Sequence, residues 1–173
     1  MRSTELRSDE FPEFYKPYID VLGDVDLLEM LRRQLENFPQ FLASIPEDKL
    51  HYTYGTDKWT IAQVLVHILD SERVFQYRAL RFARNDQTPL PGFDQDDYIP
   101  YSGAESVSKA LLIQQYQAIR QSTIALFASL DKEDLKRAGE ASGVKMSVRA
   151  LGFFCCGHQK HHRNIIRERY LSN

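Results

Sequence analysis

Hydrophobic positions recur at helical spacing in four long stretches of the chain, separated by polar connections that carry most of the prolines. In the first stretch, Leu27 or Leu28, Leu31, Leu35, Phe38, Leu42 and Ile45 share a face, and Asp26 with Glu29 supplies a capping box at its start. Pro39 falls inside it. It removes one backbone donor and crowds the preceding turn, so it is expected to kink or divide the helix. A second capping box, Thr60 with Gln63, opens a helix to about Arg84 with the stripe Ile61, Val64, Leu65, Ile68, Phe75, Ala79 and Phe82. A third, Ser102 with Glu105, opens a helix from about Ala104 to Leu130, with Leu112, Tyr116, Ile119, Thr123, Leu126 and Leu130 on one face. Ser147 is a suitable N-cap for the last helix, which runs to about Tyr170.

The connections complete the architecture. Residues 1–25 mix Pro12 and Pro17 with Phe11, Phe14, Tyr15 and Tyr18, and read as an irregular arm packed over the helices. Residues 46–58 are a polar link. Residues 85–101 hold three prolines and a glycine, so no helix is expected there. A connection this long suits a crossover from one end of a bundle to the other. Asp131 to Ala141 is polar and leads into Ser142-Gly143. The reading is an all-α fold, a four-helix bundle with a long crossover between helices 2 and 3, forming a single domain over 1–173.

Composition changes this picture little. Of 173 residues, 43% are hydrophobic and 27% charged, with a net charge of −2, so nothing points to a nucleic-acid or anionic-membrane surface. No apolar run approaches the roughly 20 residues that span a bilayer, and the first residues lack the apolar core of a signal peptide. The two cysteines, Cys155 and Cys156, are neighbours on a helix and point apart, so a disulfide between them is not expected; a reducing, cytoplasmic setting fits.

The chemistry sits near the end of the chain. His158 and His162 are four apart, one turn along one face, and share that face with Leu151, Cys155 and Ile165. Two imidazoles so placed can share a metal ion, but a third ligand is needed. His67 beside the second helix's stripe is the best candidate; His51 lies in a polar link and is a poor one. By spacing alone, two core histidines bonded to buried polar groups remain an equal alternative, and a lone His67 is more often structural. His161 belongs on the flank. Cys155 could be a thiolate ligand but reads better as a small core residue. Asp70, three residues from His67, could orient its ring or be salt-bridged instead. Arg78, in the row of His67, could bind a substrate carboxylate, with a pairing to Glu72 or an acidic loop residue as the plainer choice. Glu72 falls on the stripe itself and requires a partner, for which an arginine or lysine of a neighbouring helix serves. Asp94, Asp96 and Asp97 lack the spacing of a calcium loop and read as a solvated segment.

Three blocks of this sequence carry a family pattern: Lys58-Trp59-Thr60 with His67 to Arg73 and Tyr77 to Arg81; Pro89 to Asp94; and Gly157-His158 with His161-His162 and Arg169-Tyr170-Leu171. In this order and spacing they resemble the DinB/YfiT-like superfamily. The resemblance implies a four-helix bundle, often homodimeric, with His67, His158 and His162 holding a divalent metal such as zinc, nickel or manganese. Asp70, Arg78 and His161 remain candidates for supporting or substrate contacts. The family name refers to induction by DNA damage, a stress response, and does not imply DNA binding. One departure is Gln159, where the family often has Glu; the ligand set is untouched, but any acid–base role of that carboxylate is lost.

Three functions follow as expectations. The metal could present a low-molecular-weight thiol such as bacillithiol to an electrophilic small molecule, and the family resemblance favours this transferase. It could activate water as a hydrolase. The third reading is a non-catalytic metal-binding dimer module. The substrate cleft is expected beside the 85–101 crossover.

Overall fold

The computed structural model describes residues 1–172. Seven helical segments and one hairpin follow in order: α1 (Lys16–Asp20), α2 (Leu27–Ser44), α3 (Ile61–Ala83), α4 (Gln95–Tyr98), α5 (Lys109–Ala128), α6 (Lys132–Lys136), β1 (Ala138–Ala141), β2 (Val144–Ser147) and α7 (Val148–Ile165). A π-helical turn, Ile166–Tyr170, extends α7. The four long helices form the bundle: α3 packs on α7 and α5, and α2 packs on α5 and α7. α2 and α3 thus both flank α5 and α7, and the 85–101 crossover joins the neighbouring helices α3 and α5.

The caps explain where most helices begin. Asp26 accepts the Glu29 amide, Thr60 and Gln63 close a reciprocal capping box, and Ser147 accepts the Ala150 amide. Of the two outcomes expected at Pro39, division does not occur: α2 is helical from Leu27 to Ser44, and the packing of Phe38, Phe41 and Leu42 offsets the missing backbone bond. The third capping box does not form: Ser102 Oγ donates to Ile99 O, and α5 starts later, where Ser108 accepts the Leu111 amide.

The crossover is not wholly irregular. It holds the single turn α4, capped by Asp94, and a 3-10 turn at Ile99–Tyr101. The polar stretch after α5 folds into α6 and the β1–β2 hairpin. Its loop is Ser142-Gly143, with φ of 55° and 74°, the left-handed pair that a two-residue hairpin turn demands. Leu90 pins the crossover to this hairpin through Leu90 N to Glu140 O (2.9 Å) and Ser142 N to Leu90 O (3.0 Å).

The core divides into two apolar clusters. Along three of the long helices the boundary between them carries polar residues: Gln34 on α2, Glu72 on α3, Arg120 and Thr123 on α5. Arg120 donates to both Glu72 oxygens (2.7 and 2.8 Å) and to Gln34 Oε1 (2.6 Å); Thr123 Oγ1 donates to Glu72 (2.9 Å). Gln34 Nε2 in turn donates to Cys156 O on α7 (2.9 Å). One network thus joins all four helices and gives Glu72 its expected arginine.

The arm packs on α7. Tyr15 stacks on Phe154 with centroids 4.4 Å apart, and buried Glu10 accepts Arg149 Nε (2.6 Å) and Ser147 Oγ (2.8 Å). Gly157 allows α1 to approach: a Cβ there would stand 1.8 Å from Tyr18 O. Backbone cannot yield as a side-chain tip can. Gly157→Ala is expected to undock the arm and cost about 1–3 kcal/mol, the range of core overpacking. Limited proteolysis checks it: cleavage within residues 1–25 should accelerate, and an unchanged digest with an unchanged melting temperature would contradict this account.

Candidate metal centre

The packing of α3 against α7 brings His67, His158 and His162 together. His158 Nε2 lies 2.9 Å from His67 Nε2 and 3.0 Å from His162 Nε2. His67 and His158 are buried and His162 is half-buried. No cysteine, aspartate or glutamate joins the cluster among the described residues. Aromatic rings frame it: Trp59 sits 5.0 Å from the His67 ring, and Tyr18 and Phe75 meet His158 edge-on at 5.3 and 5.9 Å.

The donor set suits a cation. Three ring nitrogens that face one another cannot all be satisfied by protons, because an Nε2–H on His158 can donate to only one neighbour. A divalent ion accepts a lone pair from each. Nitrogens about 2.0–2.1 Å from a tetrahedral ion stand roughly 3.3–3.4 Å apart, so the observed spacing needs to open by a few tenths of an ångström.

Burial favours the neutral imidazoles that ligation requires. It pushes His67 down to about 4 and His162, with further repulsion from His67 and His161, to about 3. His158 is driven well down by burial and by the other histidines. These groups are neutral when folded, whereas exposed histidines titrate near 6.5. Between those values the unfolded chain binds more protons, so acid destabilises the fold. Chelator-treated protein should therefore melt at falling temperature as pH drops from about 6.5 toward 4. His67→Gln should flatten the profile; a flat wild-type profile would contradict the neutral cluster.

The other candidates disperse. Asp70 does not orient His67; it pairs with Arg73 (2.8 Å) at the surface. Ser71 Oγ, 3.5 Å from His67 Nδ1, is the oxygen nearest that role. His161 stays outside the cluster, half-buried, with its ring 5.3 Å from Tyr18. Cys155 and Cys156 are core residues, and burial raises both thiols, Cys156 to about 12. Asp94 caps α4 through the Asp96 amide (2.9 Å).

Arg78 is buried but pairs with neither Glu72 nor an acidic loop residue. Its Nη2 donates to Ser142 Oγ (2.9 Å) and Pro91 O (3.2 Å). With His67, His158, Ser71 and Phe75 it lines a cleft of about 880 Å³, closed on other sides by Tyr15, Tyr18 and residues 92–96 of the crossover. Sequence reasoning placed the crossover here but missed the arm's tyrosines and the Ser142 contact. The aromatic density of residues 11–18 is the available signal for the first; the short hairpin that delivers Ser142 has no strand periodicity to announce it.

Comparison with known proteins bears on the fold and the family. A protein of Oceanobacillus iheyensis, named as a candidate metal-dependent hydrolase, is 28% identical over 79% of this chain and 81% of its own length. The structure of YfiT from Bacillus subtilis, described as a probable metal-dependent hydrolase with an unusual four-helix-bundle topology, aligns with a TM-score of 0.64 at 17% identity, covering 93% of this chain and 87% of that one. The sequence profile of the DinB superfamily matches residues 30–166, and the chain belongs to that superfamily.

Proposed function

We propose that this protein is a metal-dependent enzyme acting on a small molecule held in the cleft beside His67 and His158. One observation carries the reading: three imidazole nitrogens face one another, and two of the rings, His67 and His158, line a cleft of about 880 Å³, with no fourth protein ligand among the described residues. His67, His158 and His162 would hold a divalent ion. When bound, such an ion supplies Lewis acidity and brings a water or thiol into its anionic form near neutral pH. The chain's own groups do the rest. Phe75 and Tyr15 exclude water from one wall, and Arg78 offers its remaining donors to an anionic portion of the substrate. Hydrolysis is the first reading, because both relatives described above are named for it.

Thiol transfer is the second reading, favoured by a specific feature of the cleft. Among the described residues its only carboxylates are Asp94 and Asp96, exposed on the crossover. No acidic side chain flanks the histidines to take a proton from water. A thiol ionises more readily than water and depends less on such a base.

Metal-loaded protein assayed against ester, amide and lactone panels, with and without bacillithiol, mycothiol, glutathione or coenzyme A, separates the two. Turnover without thiol supports hydrolysis; turnover only with thiol supports transfer. Failure to retain a divalent ion, or no turnover in either panel, would overturn the enzyme reading.

A further inference from the structure

A second cleft, of about 590 Å³, runs along α2 and α7 and is separate from the histidine cluster. Four cations line it: Arg33 on α2, Lys160 and Arg163 on α7, and Arg167 on the turn that follows. No aspartate or glutamate lines it, and none of the four is ion-paired among the described residues. Phe41 lies under both Arg163 and Arg167, with guanidinium carbons 5.9 and 5.2 Å from its ring centre, and so restrains them.

The second observation is independent of charge. Among the described residues, the buried side-chain polar atoms without any hydrogen-bond partner are Gln159 Nε2, Gln159 Oε1 and Arg163 Nε. They belong to two residues one helical turn apart, and both residues line this cleft. Gln159 is only 1% exposed. Leaving such groups unsatisfied costs about 1–3 kcal/mol each, so their concentration in one basic cleft requires an explanation.

We propose that the cleft binds a small, multiply charged oxyanion, a phosphate or a polycarboxylate. Arg163 Nε and the Gln159 amide nitrogen donate to its oxygens from the floor. Gln159 Oε1 accepts from a protonated oxygen of the ligand. Arg33, Lys160 and Arg167 neutralise its charge at the rim. The proposal goes beyond the metal-centre reading and does not depend on it.

The test is titration calorimetry of the full chain with inorganic phosphate and with tricarballylate, at fixed ionic strength. One saturable site per chain is expected for at least one anion, and the tighter of the two identifies the ligand chemistry. Arg33→Gln with Arg167→Gln, both exposed and remote from the fold's interior, should weaken it about tenfold or more, the equivalent of one charge-assisted hydrogen bond. Arg163→Gln should weaken it further. No saturable binding of either anion would overturn the proposal. So would equal affinity in the Arg33/Arg167 variant, which would place the anion elsewhere, such as the histidine cluster. Dimerisation that these variants abolish, with no anion bound, would assign the cleft to a second copy of the chain instead.

Discussion

Replacing Arg120 with methionine is expected to destabilise the protein by about 3–5 kcal/mol, the cost of leaving a buried charge without its partner. Arg120 is fully buried and Glu72 is 2% exposed. The substitution strips Glu72 of two hydrogen bonds and Gln34 of one, while the carboxylate stays between two apolar clusters. Thr123 alone cannot satisfy it. Urea denaturation gives the measurement, and a loss under about 1 kcal/mol would show that the network contributes little. The double variant Arg120→Met/Glu72→Leu should recover much of the loss, because removing both charges avoids the desolvation cost that removing one exposes. The same comparison tests whether the polar layer fixes how the helices align, since this network touches all four.

How much of this was legible in the sequence depends on the range of the interaction. Caps are local: Asp26, Thr60 and Ser147 each satisfy the amide three residues on, so their sequence signatures translate directly into helix starts. Ser102 with Glu105 has the same signature but loses to Ser108, because the segment before it is already committed to α4 and the 3-10 turn. The position of Glu72 on its stripe calls for a cation without specifying Arg120. That residue lies in the row Leu112, Tyr116, Thr123, Phe127, and its burial is legible only once the glutamate across the interface is placed. The hairpin was missed because four-residue strands carry almost no periodicity; Ser142-Gly143 between them was the one usable sign. Of the site, the three histidines were legible from spacing joined to family pattern. Arg78's partners were not, because Ser142 arrives from a segment 64 residues away.

The histidine cluster yields the larger functional effect. In His158→Ala, metal retained after loading and desalting should fall from about one ion per chain to near none, and any metal-dependent turnover should vanish with it. His158 is the ring that stands within 3.0 Å of both others. Removing it leaves His67 and His162 as a pair, and two imidazoles do not make a stable site. The affinity loss should exceed the roughly 10–100-fold that loss of a supporting hydrogen bond costs. Ser71→Ala, which removes the oxygen 3.5 Å from His67 Nδ1, marks that smaller class and should fall at or below its lower end. His161→Ala should keep its ion, because that ring packs on Tyr18 and His162 from outside the cluster. Elemental analysis of the three variants, with a cobalt-loaded absorption spectrum to report ligand geometry, gives the ranking directly. If His158→Ala held its ion as tightly as wild type, the nitrogens would be close for packing reasons alone and the cleft would lose its chemistry.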